Sequence, residues 1–267
     1  MALALCLTVL AGAVRADPAP GFDRLWTALG LSRLIATMQE EGLAQTEDLG
    51  FAYLPNPPGA AWQNLAERIY DLSRMDEAMR AGFAHALGPA PLDDLSAFFE
   101  SDTGARIVEL ELAARRAFLD PATEQAARNA LTGPDADSAR LGLIDDYIAA
   151  NDLVEFNVMG ALNSDLQFYR GLAEGGAIQM GEDEMLAEVG AQAEMTRVDT
   201  LEWLRSFLHF AYRPLPDEAL RAYTDLSRTP QGQRLNRALF AGFATVYDDI
   251  HYALGLAIAS QMDVQDL

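Results

Sequence analysis

Apolar residues recur along this chain with the three-and-four spacing of helices almost from end to end. Leu235, Leu239, Phe243, Val246, Ile250, Leu254 and Ile258 fall on one face, because side chains one helical turn apart point the same way. Thr229 supplies an N-cap, and Pro230 suits a first helical position, where its missing N–H costs nothing. The pattern therefore predicts a helix over 230–262. A second stripe runs through Leu141, Ile144, Ile148, Leu153, Phe156, Met159, Leu162, Leu166, Tyr169 and Leu172 and stops near Gly175-Gly176. Similar spacing predicts helices over 22–42, 61–87, 92–100, 102–119, 121–131 and 182–212. No segment alternates as a half-buried strand does, and none is rich in Val, Ile and Thr. The expected fold is all-α, a multi-helix bundle without significant sheet. Two stretches interrupt it: the Pro-rich 54–59, a loop, and Thr132-Gly133-Pro134-Asp135-Ala136-Asp137, a joint.

The helices fall into two similar sets. LDDLSAFFESDTGAR at 92–106 aligns without gaps on LRAYTDLSRTPQGQR at 220–234. Leu92 meets Leu220, Leu95 meets Tyr223, Phe98 meets Leu226, Ser101 meets Thr229, Gly104 meets Gly232 and Arg106 meets Arg234. Upstream, Asp71 meets Asp199, Met75 meets Trp203, Met79 meets Phe207 and Leu87 meets Leu215. The expected organisation is a first helical repeat over 17–131, a linker over 132–137 and a second repeat over 138–267. Each copy reads as a short amphipathic helix, a capped turn and a longer helix. Ser101 and Thr229 are the caps. Glycine inside a helix costs roughly 1 kcal/mol against alanine, so its recurrence at Gly104 and Gly232 predicts a close backbone approach. Arg106 and Arg234 are expected to pair with acids on the preceding helix. These features describe structure rather than chemistry.

The segment Phe98-Phe99-Glu100-Ser101-Asp102-Thr103-Gly104, followed by a basic helix, resembles an exported bacterial family, domain of unknown function 2059. In that family a similar aromatic-x-Ser-Pro-x-Gly segment recurs. The first copy lacks the proline; the second, Leu226-Ser227-Arg228-Thr229-Pro230-Gln231-Gly232, keeps the proline and lacks the aromatic pair. The resemblance implies an exported α-helical domain in two tandem copies, and it supplies no catalytic residues.

Composition adds the compartment. Ala2 to Val14 is apolar or small throughout, and Val14-Arg15-Ala16 offers small residues where a signal peptidase reads. A signal peptide over 1–16 is expected, cleaved after Ala16, although no basic residue precedes the apolar run. The mature chain would be periplasmic or secreted, with no transmembrane segment. Cys6, the single cysteine, lies within that leader, so a mature chain would have no disulfide or thiolate chemistry. The chain carries 40 acidic against 19 basic residues, every basic one an arginine. Such a surface repels nucleic acid and anionic lipid.

No Walker, dinucleotide, nucleophile-elbow or H-E-x-x-H motif occurs, and no cofactor is expected. Among His85, His209 and His251, only His251 has a carboxylate, Asp248, at the helical spacing that lets both reach one metal ion. A second such pair is missing from the sequence. Glu182-Asp183-Glu184 follows Gly181 and suits the first turn of a helix; it lacks the ligand alternation of a calcium loop. Trp26, Trp62, Trp203, Phe207, Phe210 and Tyr212 fall on apolar faces and are expected in the core. The preferred reading is a non-catalytic binding or adaptor domain of the envelope, its groove between the repeats. The partner would be an envelope protein or a small apolar ligand. The alternatives are a metal-binding or enzymatic protein using Asp248 and His251, and a carrier with a closed cavity.

Overall fold

A computed structural model describes residues 19–54, 56–132 and 138–263. The expected leader with Cys6 and all but the first residue of the linker lie outside the described residues. The described residues form thirteen α-helices and no strand. They are α1 (Phe22–Ala28), α2 (Leu31–Tyr53), α3 (Ala60–Ile69), α4 (Leu72–Leu87), α5 (Asp93–Glu100), α6 (Asp102–Ala117) and α7 (Pro121–Thr132). Then come α8 (Ser138–Ala150), α9 (Leu153–Glu174), α10 (Glu182–Ala191), α11 (Ala193–Tyr212), α12 (Asp217–Arg228) and α13 (Pro230–Asp263).

Four stretches with continuous helical spacing are each broken in two, and local chemistry explains three of the breaks. Gly30 turns left-handed (φ 62°) between α1 and α2. Asp152 does the same between α8 and α9 (φ 51°), a conformation that Asp tolerates better than most side chains. Asp71 caps α4 by accepting the Arg74 N–H at 3.0 Å. The break at Gln192, between α10 and α11, has no such signature. In the other direction, α2 runs on through Gly42 to Tyr53. Gly42 does not stop the helix; it makes room for the Tyr70 ring, which any side chain there would strike.

The 34-residue α13 is the hub. It crosses α9 where Gly255 meets Gly171, and α4 where Gly242 meets Gly82. A methyl on Gly255 would fall 2.9 Å from the Gly171 Cα, and one on Gly82 would fall 3.0 Å from the Gly242 Cα. Small residues let backbones approach, so both crossings are tight. The largest apolar core joins Leu25, Trp26, Met79, Phe83 and Phe99 to Leu235, Val246, Ile250 and Leu254 of α13. Residues from opposite ends of the chain thus share one core. A second core, around Ile107, Ile144, Leu208, Tyr212 and Leu220, is built from α6, α8, α11 and α12.

Polar side chains stitch the elements. Buried Arg140 donates to the carbonyls of Tyr212 (2.6 Å) and Leu215 (3.0 Å) and pairs with Asp217, holding the α11–α12 corner. Arg24–Glu100, Arg33–Glu109, Arg116–Glu40 and Arg115–Glu41 tie α1 and α2 to α5 and α6. The first three are exposed, and such pairs contribute little singly. Of the aromatic residues expected inside, Trp26, Trp62 and Tyr212 are buried. Trp203 and Phe207 are partly so. Phe210 is exposed, with its ring 5.4 Å from that of Phe118.

Candidate functional site

The two repeated turns make matching contacts. Ser101 Oγ accepts from the Gly104 N–H at 3.2 Å and donates to the Phe98 carbonyl at 2.6 Å. Thr229 Oγ1 accepts from the Gly232 N–H at 3.0 Å and donates to the Leu226 carbonyl at 2.7 Å. Each glycine rests on the end of the preceding helix. A methyl at Gly104 would strike the Phe98 carbonyl and lie 2.7 Å from the Phe99 Cα; one at Gly232 would strike the Leu226 carbonyl and lie 2.9 Å from the Ser227 Cα. Pro230 opens α13 with no N–H to satisfy. Ser101→Ala and Thr229→Ala are each expected to lower the unfolding free energy by about 1 kcal/mol. The check is a shift in urea midpoint at unchanged slope.

The arginines depart from expectation. Arg106 is exposed and has no hydrogen-bond or ion-pair partner among the described residues. Arg234 reaches across the bundle to donate to the Pro91 carbonyl at 3.1 Å. Neither pairs with an acid on the preceding helix. The short helix there presents its acids to solvent, while α13 is pressed against the α4–α5 corner, where a backbone oxygen is the available acceptor.

The same corner contains a group that sequence reasoning overlooked. Phe98 stacks on Tyr223 with centroids 5.9 Å apart, and Tyr147 lies 4.8 Å from Tyr223 and 5.9 Å from Tyr212. Among these rings Glu111 accepts a 2.5 Å hydrogen bond from the Tyr212 hydroxyl. Burial pushes the Glu111 carboxyl up to about 7, against the opposing effect of hydrogen bonds from Tyr212 and Tyr223. Burial, together with the nearby Glu111 charge, raises all three tyrosines. A signal was present: Glu111 stands four residues after Ile107 and three before Ala114, on the buried face of α6.

A cleft opens beside α2. Its first hollow, of about 330 Å³, is lined by Tyr53, Tyr70, Asp165, Phe168, Tyr169 and Gln192, among others. A second, of about 480 Å³, is lined by Glu41, Asp48, Arg115, Phe118, Trp203 and Tyr247, among others. The two adjoin at Gln45, Tyr70 and His251. Both volumes lie in the range of small-molecule sites. Their mixed lining is not that of a closed apolar cavity. The walls come from α2, α4, α6, α7, α9, α11 and α13 and the residues joining them, so helices from both halves of the chain contribute. Tyr70 is fixed by Gly42 and by its carbonyl, which accepts from Gln39 Nε2 at 2.7 Å. Arg115 is held by both Glu41 oxygens at 2.8 and 2.6 Å. Asp165 is part-buried and has no hydrogen-bond or ion-pair partner among the described residues. Burial raises its carboxyl above the ordinary range, and His251 acts the other way. No motif marked these residues, because they are scattered over seven helices and the turns between them.

Asp248 and His251 are paired by spacing; burial raises the Asp248 carboxyl, and the nearby His251 is among the groups that act the other way. Their polar atoms are engaged otherwise: Asp248 accepts from Asn163 Nδ2, and His251 Nδ1 lies 2.9 Å from the Tyr247 carbonyl. Among the described residues no group of three or more His, Cys, Asp or Glu side chains is placed to hold a metal ion. Glu182 pairs with Arg170, and Glu184 accepts the Gly181 N–H at 2.9 Å. Those acids thus close the start of α10.

The fold and cleft define an all-α helical bundle with an open, mixed-polarity hollow. Among the described residues no helix is long and apolar enough to cross a membrane. Residues 73–132 match a family described as an uncharacterized protein conserved in bacteria (DUF2059). The match spans α4 to α7 and includes the first capped turn. No curated protein and no solved structure matches the chain.

Proposed function

We propose that this chain is an exported bacterial binding protein of the envelope, non-catalytic, formed by two copies of one helical unit with a ligand cleft where they meet. The like contacts of the Ser101 and Thr229 turns support the duplication. The apolar leader with its Val14-Arg15-Ala16 site supports export. The observation that carries the binding reading is Asp165, a part-buried carboxylate without a hydrogen-bond or ion-pair partner among the described residues, at the wall of a 330 Å³ hollow. Partial burial already disfavours the charge on this carboxylate, raising its pKa against the opposing effect of His251, and a bound molecule that donates to it or carries a positive charge would offset that cost. An adaptor role would instead require a protein seated on the bundle surface, and a metal-dependent role would require a third ligand beside Asp248 and His251.

Native mass spectrometry of protein purified from the periplasm tests this reading. The expected result is a bound small molecule that is lost when Phe168 or Tyr169 is changed to Ala. Protein that fails to reach the periplasm would overturn the export reading, and protein that carries no small molecule even when incubated with periplasmic extract would overturn the binding reading.

A further inference from the structure

We infer that the cleft takes a small organic ammonium ion, an inference that rests on the cleft being a ligand site. The argument begins with charge. The first hollow is lined by one carboxylate, Asp165, one imidazole, His251, and no arginine. The second contains Arg115, but Glu41 binds that guanidinium through both oxygens. Glu124 is matched by Arg128. Asp48 is exposed and has no partner among the described residues. The charges left uncompensated at the cleft are therefore the two carboxylates of Asp165 and Asp48.

Aromatic content narrows the choice from any cation to an organic one. Tyr53, Tyr70, Phe168 and Tyr169 line the hollow that contains Asp165. Tyr53 and Phe168 meet edge to face with centroids 5.7 Å apart. Ring faces carry negative potential and attract alkylated ammonium groups, which lose little hydration on contact. A bare metal ion needs several oxygen ligands at short range, and the described residues offer no such group. An anion would meet two unpaired carboxylates and an arginine already engaged. A lipid tail would strand Asp165, Gln45 and Gln192 without partners. The net charge of −21 also concentrates cations near the surface.

The test titrates the full mature chain at pH 8 with three probes of similar bulk. They are choline, the alcohol in which carbon replaces its ammonium nitrogen, and the anion tert-butylacetate. Calorimetry gives affinity, and the aromatic NMR signals of Tyr70 and Phe168 report the cleft. Choline is expected to bind roughly tenfold or more tightly than the neutral alcohol, with no binding of the anion. Asp165→Asn is expected to reduce that preference severalfold, to what the rings alone supply, while leaving the alcohol's affinity unchanged; Asp165 has no hydrogen bond for the variant to break. Equal affinity for choline and the alcohol in the unaltered protein, or a preference for choline undiminished in Asp165→Asn, overturns the ammonium inference and leaves the cleft as a ligand site. Silence of the Tyr70 and Phe168 signals with all three probes overturns the cleft reading as well.

Discussion

Gly255→Ala is expected to lower the unfolding free energy by about 2 kcal/mol. The substitution relieves a helix-propensity cost of ~1 kcal/mol, so on that ground alone it would stabilise. The crossing of α13 with α9 reverses the sign. The new methyl would strike the Phe168 carbonyl and sit 2.8 Å from the Leu172 nitrogen. Both are backbone atoms of a helix, which cannot turn aside as a side chain can. Overpacking of this kind costs about 1–3 kcal/mol, and the helices must part to relieve it. Gly171→Ala on the facing helix is expected to behave alike, since its methyl would strike the Tyr252 carbonyl. Once one substitution has parted the helices, the second meets less resistance. The double variant is therefore expected to be less destabilised than the two singles summed, a coupling that a double-mutant cycle measures. Gly160→Ala, also in α9, has open space around it and is expected to gain up to about 1 kcal/mol. If Gly255→Ala melted at or above the unaltered protein, the tight α9–α13 crossing would be wrong.

Replacing Glu111 by Gln is expected to flatten the pH dependence of stability between about pH 4.5 and 7 and to strengthen the fold at pH 8. Burial raises the folded-state carboxyl from its ordinary 4.5 to about 7. The folded protein therefore holds this proton more tightly than the unfolded chain does. The group's contribution is fully present below pH 4.5 and is lost as pH rises through 7, where a charge must be kept among Tyr147, Tyr212 and Tyr223. A shift of that size corresponds to on the order of 3 kcal/mol, and less for a part-buried residue. Gln keeps an acceptor for the Tyr212 hydroxyl and carries no charge at any pH. Carboxylates held low by arginine partners, such as Glu100 and Glu109, act at lower pH and with the opposite sign. Comparing urea midpoints of the two proteins across this range isolates Glu111. Parallel curves would show that its carboxyl stays ionised.

Much of the architecture was readable along the chain. The stripe from Leu235 to Ile258 became the hub helix, and Ser101 and Thr229 cap the helices that follow them. The glycines that recur in the two turns do lie against backbone. Breaks within helical stretches were less legible. Apolar spacing continues across Gly30, Asp71 and Asp152, since the residues on either side face the same core whether or not one helix carries them. Gly42 has the look of a stop and is not one, because its partner, Tyr70, comes from the turn between α3 and α4.

The local alphabet of spacing, caps and turn residues determined that the chain is helical, where most helices lie and which faces are apolar. It does so because those choices depend on neighbours a few residues apart. The tertiary structure alone decided that α13 shares a core with α4, that Arg234 finds the Pro91 carbonyl, that Glu111 sits among three tyrosines, and that Asp165 lines a hollow with Tyr70 and His251 and has no hydrogen-bond or ion-pair partner among the described residues. Each of these joins residues tens of positions apart or more. Their energies come from burial and from the partners available in three dimensions, which no periodicity in one dimension encodes.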